Sequence, residues 1–233
     1  MIKKITTYDE LINDIINSKI TMIWKEIFEM PLRHFHKIND IDGDIVECGV
    51  WKGGYSIFLS HLFSDKNIWV CDSFEGFQPL DKARYNFENE RHTPDFAYGA
   101  CGPLGISLEE VKNNFKLYGL DKDPRIKYLK GFVKDTLPAS GIEKISLLRI
   151  DVDAYSATLE VLDELYDKVQ PGGYIIFDDA NLVESFEAIK FFLKRESLPL
   201  ELINPYTDGI YSLDKPICSS NSGFEAGSYI IKK

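Results

Sequence analysis

Leu147–Leu148–Arg149–Ile150–Asp151–Val152–Asp153–Ala154–Tyr155 and Gly172–Gly173–Tyr174–Ile175–Ile176–Phe177–Asp178–Asp179 are two short apolar runs, each ending in a pair of acids. Apolar runs of this length, bounded by glycine and charge, predict buried strands of a parallel sheet. Carboxylates at the carboxyl ends of such strands stand where open α/β sheets bind ligands. Adjacent strand ends would bring Asp151, Asp153, Asp178 and Asp179 together, and like charges that close need protons, basic partners or a cation. A hard divalent ion with oxygen ligands meets that need. Helix N-capping is the other explanation, because Asp is a favoured cap after a strand. One Asp per end suits capping well; a pair at each of two ends suits it less.

The surrounding composition limits the partners. The chain has 233 residues, 44% apolar, with a net charge of −10 and no basic block. That length and core content suit one α/β domain over residues 1–233. The acidic balance argues against nucleic acid and fits a small-molecule partner. No apolar run reaches membrane-spanning length and no signal-peptide core follows Met1, so a cytoplasmic protein without a membrane partner is expected. Cys48, Cys71, Cys101 and Cys218 show no Cys-x-x-Cys spacing. Cys48 and Cys71 fall in expected strands, where a thiol acts as a small hydrophobe, in keeping with a reducing compartment.

Upstream, a strand–turn–helix rhythm leads to the opening pair of runs. Residues 8–39 read as helical, with Ile12, Ile15, Ile16, Ile20 and Ile23 at helical spacing and a break at Pro31. Residues 1–42 are expected to form a helical cap over the domain or to join a subunit interface, as in a homo-oligomer. His34 and His36 read as surface or interface residues. Strands follow at 44–48, 68–71 and 126–129, and a capping box at Ser107–Leu108–Glu109–Glu110 opens a helix that Gly119 stops. Pro171–Gly172–Gly173 is expected to end the helix after strand 4, and another helix lies near 183–195. Residues 200–203, 209–213 and 228–232 read as short strands, the last two as an antiparallel hairpin. Residues 74–105 interrupt the rhythm and read as a lid, with His92 as a remote candidate base and Lys82, Arg84 and Arg91 as candidates for an anionic acceptor. Strands alternating with helices, then a hairpin, give a doubly wound, Rossmann-like α/β fold.

The turn after strand 1, Glu47–Cys48–Gly49–Val50–Trp51–Lys52–Gly53–Gly54, brings backbone close to a ligand. Asp72 closes strand 2, where an acid suits a ribose diol. NAD and S-adenosylmethionine would both use this arrangement. The spacing Gly-x-x-x-Gly-Gly is not the dinucleotide pattern. Glu47 at the strand end would repel a pyrophosphate and tolerate the cationic cofactor. An ordinary tight strand–helix turn is the other, less favoured, explanation of the glycines.

Taken in order, Asp44–Ile45–Val46–Glu47–Cys48–Gly49–Val50–Trp51–Lys52–Gly53–Gly54, Asp72–Ser73–Phe74–Glu75–Gly76–Phe77, Gly131–Phe132–Val133–Lys134–Asp135–Thr136–Leu137 and the two opening runs resemble the macrocin O-methyltransferase family, over roughly residues 43–195. The resemblance implies a class I methyltransferase fold. It also implies S-adenosylmethionine as cofactor and Mg²⁺-dependent methylation of a sugar or aromatic hydroxyl. Position by position it makes Asp151, Asp178 and Asp179 the metal carboxylates and Asp151 the candidate general base. It puts Glu47, Gly49, Trp51 and Gly53 around the methionine end, Asp72 and Ser73 at the ribose, and Gly131, Phe132 and Val133 at the adenine. Ala154–Tyr155–Ser156–Ala157 departs from the family's Trp-Tyr-Glu-Ser, and Ala180–Asn181 from its Tyr-Gly, so the acceptor surface differs.

The expected function is therefore a Mg²⁺-dependent O-methyltransferase acting on a sugar, a nucleotide-sugar or another small-molecule hydroxyl. The acceptor would be a natural product or a surface-glycan precursor. Two alternatives stay open at this point: a metal-independent methyltransferase on the same scaffold, and a catalytically silent cofactor-binding subunit.

Overall fold

The computed structural model describes residues 2, 3, 5–77, 104–213 and 225–233. Five parallel strands form its centre: β1 (Asp44–Cys48), β2 (Ile68–Asp72), β3 (Ile126–Lys130), β4 (Ile145–Ile150) and β5 (Val169–Phe177). Three more, β6 (Glu201–Ile203), β7 (Ile210–Ser212) and β8 (Ser228–Ile231), complete one sheet in the order β3-β2-β1-β4-β5-β8-β6-β7. The central strands are apolar on both sides because both faces are covered. Ile45, Val70, Leu147 and Ile176 point to one core, and their neighbours Val46, Cys71, Leu148 and Ile175 to the other.

The first core packs under α1 (Tyr8–Asn17), α4 (Gly54–Leu62) and α5 (Leu108–Leu117), with Ile15, Phe58 and Phe115 fully buried. Between α1 and β1 lie two short helices, α2 (Glu29–Arg33) and α3 (Phe35–Asn39). The second core packs under α6 (Val133–Thr136), α7 (Tyr155–Leu165) and α8 (Val183–Arg195), with Leu162, Phe186 and Ile189 fully buried. Each such side chain contributes about 1.5–3 kcal/mol on removal from water. Cys48 and Cys71, direct partners across β1 and β2, are buried free thiols, as expected. Among the described residues no helix is long and apolar enough to cross a membrane.

Two expectations for the N-terminal segment change. The N-terminal helix ends at Asn17, not at Pro31. The chain then straps across the turn before α4, where the Ile20 carbonyl accepts the Gly54 N–H at 3.0 Å. Pro31 is the third residue of α2, where a missing N–H breaks no helical hydrogen bond. His34 is buried rather than at the surface. Its ring lies 5.3 Å from that of Tyr174 and 5.8 Å from that of Tyr229, and its Nε2 is 3.3 Å from Asp208 Oδ1. The break at Ser18 turns this segment inward, which helical periodicity alone does not reveal.

Val169–Gln170–Pro171–Gly172–Gly173 belongs to β5, joined to the helix before it by a 3₁₀ turn at Tyr166–Lys168. The glycines sit beside a register shift between Ile145 and Leu147. The C-terminal strands are antiparallel, as expected, but the hairpin is formed by β6 and β7 and not by the last two strands. β8 returns to lie between β5 and β6, antiparallel to both. Burial explains the order: Tyr229 on β8 is fully enclosed, whereas Ile210 on β7 is 67% exposed and suits an edge.

Candidate active site

The sheet order places β1 between β2 and β4, so successive connections leave in opposite directions from the ends of β1 and β4. A crevice opens there. The two strand exits are laced together. Asp151 N–H donates to the Cys48 carbonyl at 2.9 Å, and Gly49 N–H to the Cys71 carbonyl at 2.8 Å. Gly49 has φ +83°, and a Cβ there would lie 1.6 Å from the Asp151 carbonyl oxygen. No side chain fits, so glycine is what allows β1 and β4 to meet at the crevice.

Asp72 organises one side. Its Oδ2 accepts the N–H groups of Val50 (2.8 Å) and Trp51 (3.2 Å), and its Oδ1 accepts that of Phe74 at 2.7 Å. Burial pushes the Asp72 carboxyl up, and these three amide donors oppose that shift. Asp72, Ser73, Phe132 and Val133 line one cleft. Gly131, at the end of β3, donates its N–H to the Asp72 carbonyl at 2.9 Å, which sets Phe132 at the cleft wall. Trp51, on a positive-φ backbone at +46°, adds an indole to the cleft, and its buried ring nitrogen has no hydrogen-bond partner among the described residues. Gly53 caps α4 at φ +84° and packs against Phe115, below the cleft wall.

The other side is acidic. Asp151, Asp153 and Asp179 each present a carboxylate oxygen within 4.8 Å of the others. Burial, then neighbouring charge, pushes Asp151 and Asp179 well above the usual carboxylate range, and Asp153 up to about 7. For Asp151 burial is the first cause, Arg149 opposes it, and the charges of Asp178 and Asp179 add to the rise. Asp153 stands at φ +56°, and its N–H donates to Asp179 Oδ2 at 2.8 Å. Asp178 turns away from this trio, with its Oδ1 2.6 Å from Arg149 Nη2. Three crowded carboxylates that resist ionisation are a donor set suited to a hard divalent cation.

Comparison with known proteins agrees with this geometry. The family model described as macrocin-O-methyltransferase matches residues 14–212. The chain belongs to the macrocin O-methyltransferase family. Like other members of this O-methyltransferase family it uses S-adenosylmethionine. It is 34% identical to mycinamicin III 3''-O-methyltransferase of Micromonospora griseorubida over 73% of this chain and 68% of that protein. It is 35% identical to demethyldecarbamoylnovobiocin O-methyltransferase of Streptomyces niveus over 74% of this chain and 66% of that protein. The chain thus spans about two thirds of the length of these relatives. The structure of the O-methyltransferase NovP superposes with a TM-score of 0.70 at 32% identity, covering 82% of this chain and 81% of that one.

Within this macrocin-type fold, the residues singled out in the sequence for the cofactor, with Asp151 among them, fall into three groups. Gly49, Trp51, Asp72, Ser73, Phe132, Val133 and Asp151 line one cleft. Gly53 and Gly131 shape its walls from behind. Glu47 lies beneath: it is 1% exposed, with its carboxylate held by Arg149 and by the Ser56 hydroxyl. Two participants were not singled out as site residues. Asp153 was visible as the second acid of its strand end. Arg149 precedes the acids in an apolar run and reads as a strand residue until the sheet register is known. Ala154 and Ala157 also line the cleft. His92, Lys82, Arg84 and Arg91, and most of the 74–105 lid, lie outside the described residues. The ends of that stretch meet at the cleft: Phe77 and Leu104 line it, and Gly105 packs on the Glu75 backbone.

Proposed function

We propose that this protein is a Mg²⁺-dependent O-methyltransferase that methylates a sugar hydroxyl, on a nucleotide-sugar, a glycosylated natural product or a surface-glycan precursor. The observation that carries the metal assignment is the trio of carboxylates around the ends of β4 and β5, for which Arg149, paired with Asp151, is the cation at hand. The sugar class rests on relatives whose names describe tailoring of glycosylated natural products.

Asp151 and Asp179 are the carboxylates we assign to the cation, with Asp153 and Asp178 on either side as the further candidates. A divalent cation bound there supplies Lewis acidity that lowers the pKa of a hydroxyl. Gly49 lets backbone approach the cofactor closely, and Asp72 with Ser73 presents oxygens to a ribose. Phe132 and Val133 offer an apolar wall to adenine. Asp151 faces both halves of the cleft. Its raised affinity for a proton, due first to burial, suits it to accept one from the acceptor hydroxyl. Ala154 and Ala157 make room for the acceptor ring. A homo-oligomer, with the N-terminal segment at a subunit interface, belongs to this proposal.

The test is methyl transfer from labelled S-adenosylmethionine to a panel of nucleotide-sugars and glycosylated small molecules, with EDTA and with Mg²⁺ restored. Transfer that EDTA abolishes and Mg²⁺ restores is expected. Full activity in EDTA would establish the metal-independent alternative, and cofactor binding without transfer to any acceptor would favour a silent subunit.

A further inference from the structure

Glu47 and Arg149 are direct cross-strand partners of β1 and β4, one step below the crevice. Each side chain is 1% exposed. Arg149 Nη1 lies 2.5 Å from Glu47 Oε1 and 2.7 Å from Asp151 Oδ2, and Nη2 lies 2.6 Å from Asp178 Oδ1. The guanidinium stacks 4.4 Å over the Tyr55 ring, which fixes its plane. The other Glu47 oxygen accepts from the Ser56 hydroxyl. Both oxygens of Glu47 are therefore engaged inside the protein, and neither Glu47 nor Arg149 reaches the cleft wall.

From this we infer that Glu47 acts through Arg149, as a buried positioning pair that holds the carboxylates of Asp151 and Asp178 at the strand ends, and not as a partner of the cofactor's ammonium group. The inference rests on the proposed metal-assisted reading of that site. Its physical basis is charge and register. Arg149 is one cation facing three carboxylates in a region closed to water. Glu47 neutralises and orients the guanidinium from below, so its two nitrogens face Asp151 and Asp178 from above. The Nη2–Asp178 contact is close but poorly aligned as a hydrogen bond, since neither atom meets hydrogen-bond geometry. Asp178 is thus held by charge. Sheet pairing on both sides of β4 makes this support rigid.

Glu47→Gln and Arg149→Lys separate the two roles, each checked for folding by circular dichroism. S-adenosylmethionine binding is read by calorimetry, and metal binding by electron paramagnetic resonance of Mn²⁺ used in place of Mg²⁺. Expected for both variants is cofactor affinity within about threefold of wild type. Mn²⁺ affinity is expected to fall about tenfold or more, as for other outer partners of metal ligands. A Glu47→Gln protein that loses tenfold in cofactor affinity and keeps its Mn²⁺ affinity would overturn the inference. A wild-type protein that binds no Mn²⁺ would sink only the metal assignment, and the cofactor arm would still decide the role of Glu47. If neither variant folds, Ser56→Ala reads the same two quantities: weakened Mn²⁺ binding with unchanged cofactor binding supports the pair, and the reverse contradicts it.

Discussion

Asp153 shows how much of the chemistry is set by single residues. It combines a positive φ, a backbone bond to Asp179 and a carboxyl pushed up to about 7, first by burial and then by Asp151. A carboxyl whose folded pKa lies above its unfolded value binds more protons folded than unfolded between the two values. Folded stability must then fall as pH rises through that window, from about 4 to about 7 for this group. The metal-free protein is expected to melt at lower temperature at pH 8 than at pH 5.5, and saturating Mg²⁺ to reduce the difference. Equal melting temperatures in EDTA would argue that these acids ionise freely. Asp179→Asn and Asp153→Asn are each expected to weaken Mn²⁺ binding about tenfold or more, with smaller losses in cofactor affinity; calorimetry measures both. At this scale the sequence was informative about residue types and less so about partners. The acids at the strand ends, Asp72 and the glycine turn were legible from spacing. The pairing of Glu47 with Arg149 depends on which residues of β1 and β4 lie opposite one another, and local sequence does not encode that.

Elements position these residues, and their packing can be tested one at a time. Gly49→Ala would drive a methyl into the Asp151 carbonyl at a positive φ. A loss of about 2–4 kcal/mol is expected in chemical denaturation, because either the strand exits separate or the backbone strains. A loss under about 0.5 kcal/mol would show that β1 and β4 do not approach so closely. Ser107 caps α5 by accepting the Glu110 N–H at 3.2 Å. Ser107→Ala should lose about 1 kcal/mol. The buried strands were legible because both faces are covered and the runs are apolar throughout. The N-terminal segment was less so. Isoleucines at helical spacing predict a helix, but not that the chain leaves it at Ser18 to bond the turn before α4. β8 was assigned as a strand but paired with β7, whereas its insertion between β5 and β6 is a long-range choice driven by the burial of Tyr229.

Across the whole molecule, the five parallel strands between two cores bring the β1 turn, the end of β2 and the β4 and β5 acids to one edge. A cofactor bound there stabilises the folded state by mass action. S-adenosylmethionine at about a hundred times its dissociation constant should add about 2.7 kcal/mol, seen as a raised melting temperature, whereas NAD should add none. The measurement that bears most directly on the metal centre needs no acceptor. Mn²⁺ is titrated into wild-type and Asp179→Asn protein, each with bound S-adenosylmethionine, and free Mn²⁺ is followed by electron paramagnetic resonance. One tightly bound ion per wild-type chain, with binding largely lost in Asp179→Asn while the cofactor stays bound, is the expected result. No bound Mn²⁺ in the wild type, or equal binding in the variant, would contradict a cation held by the strand-end acids.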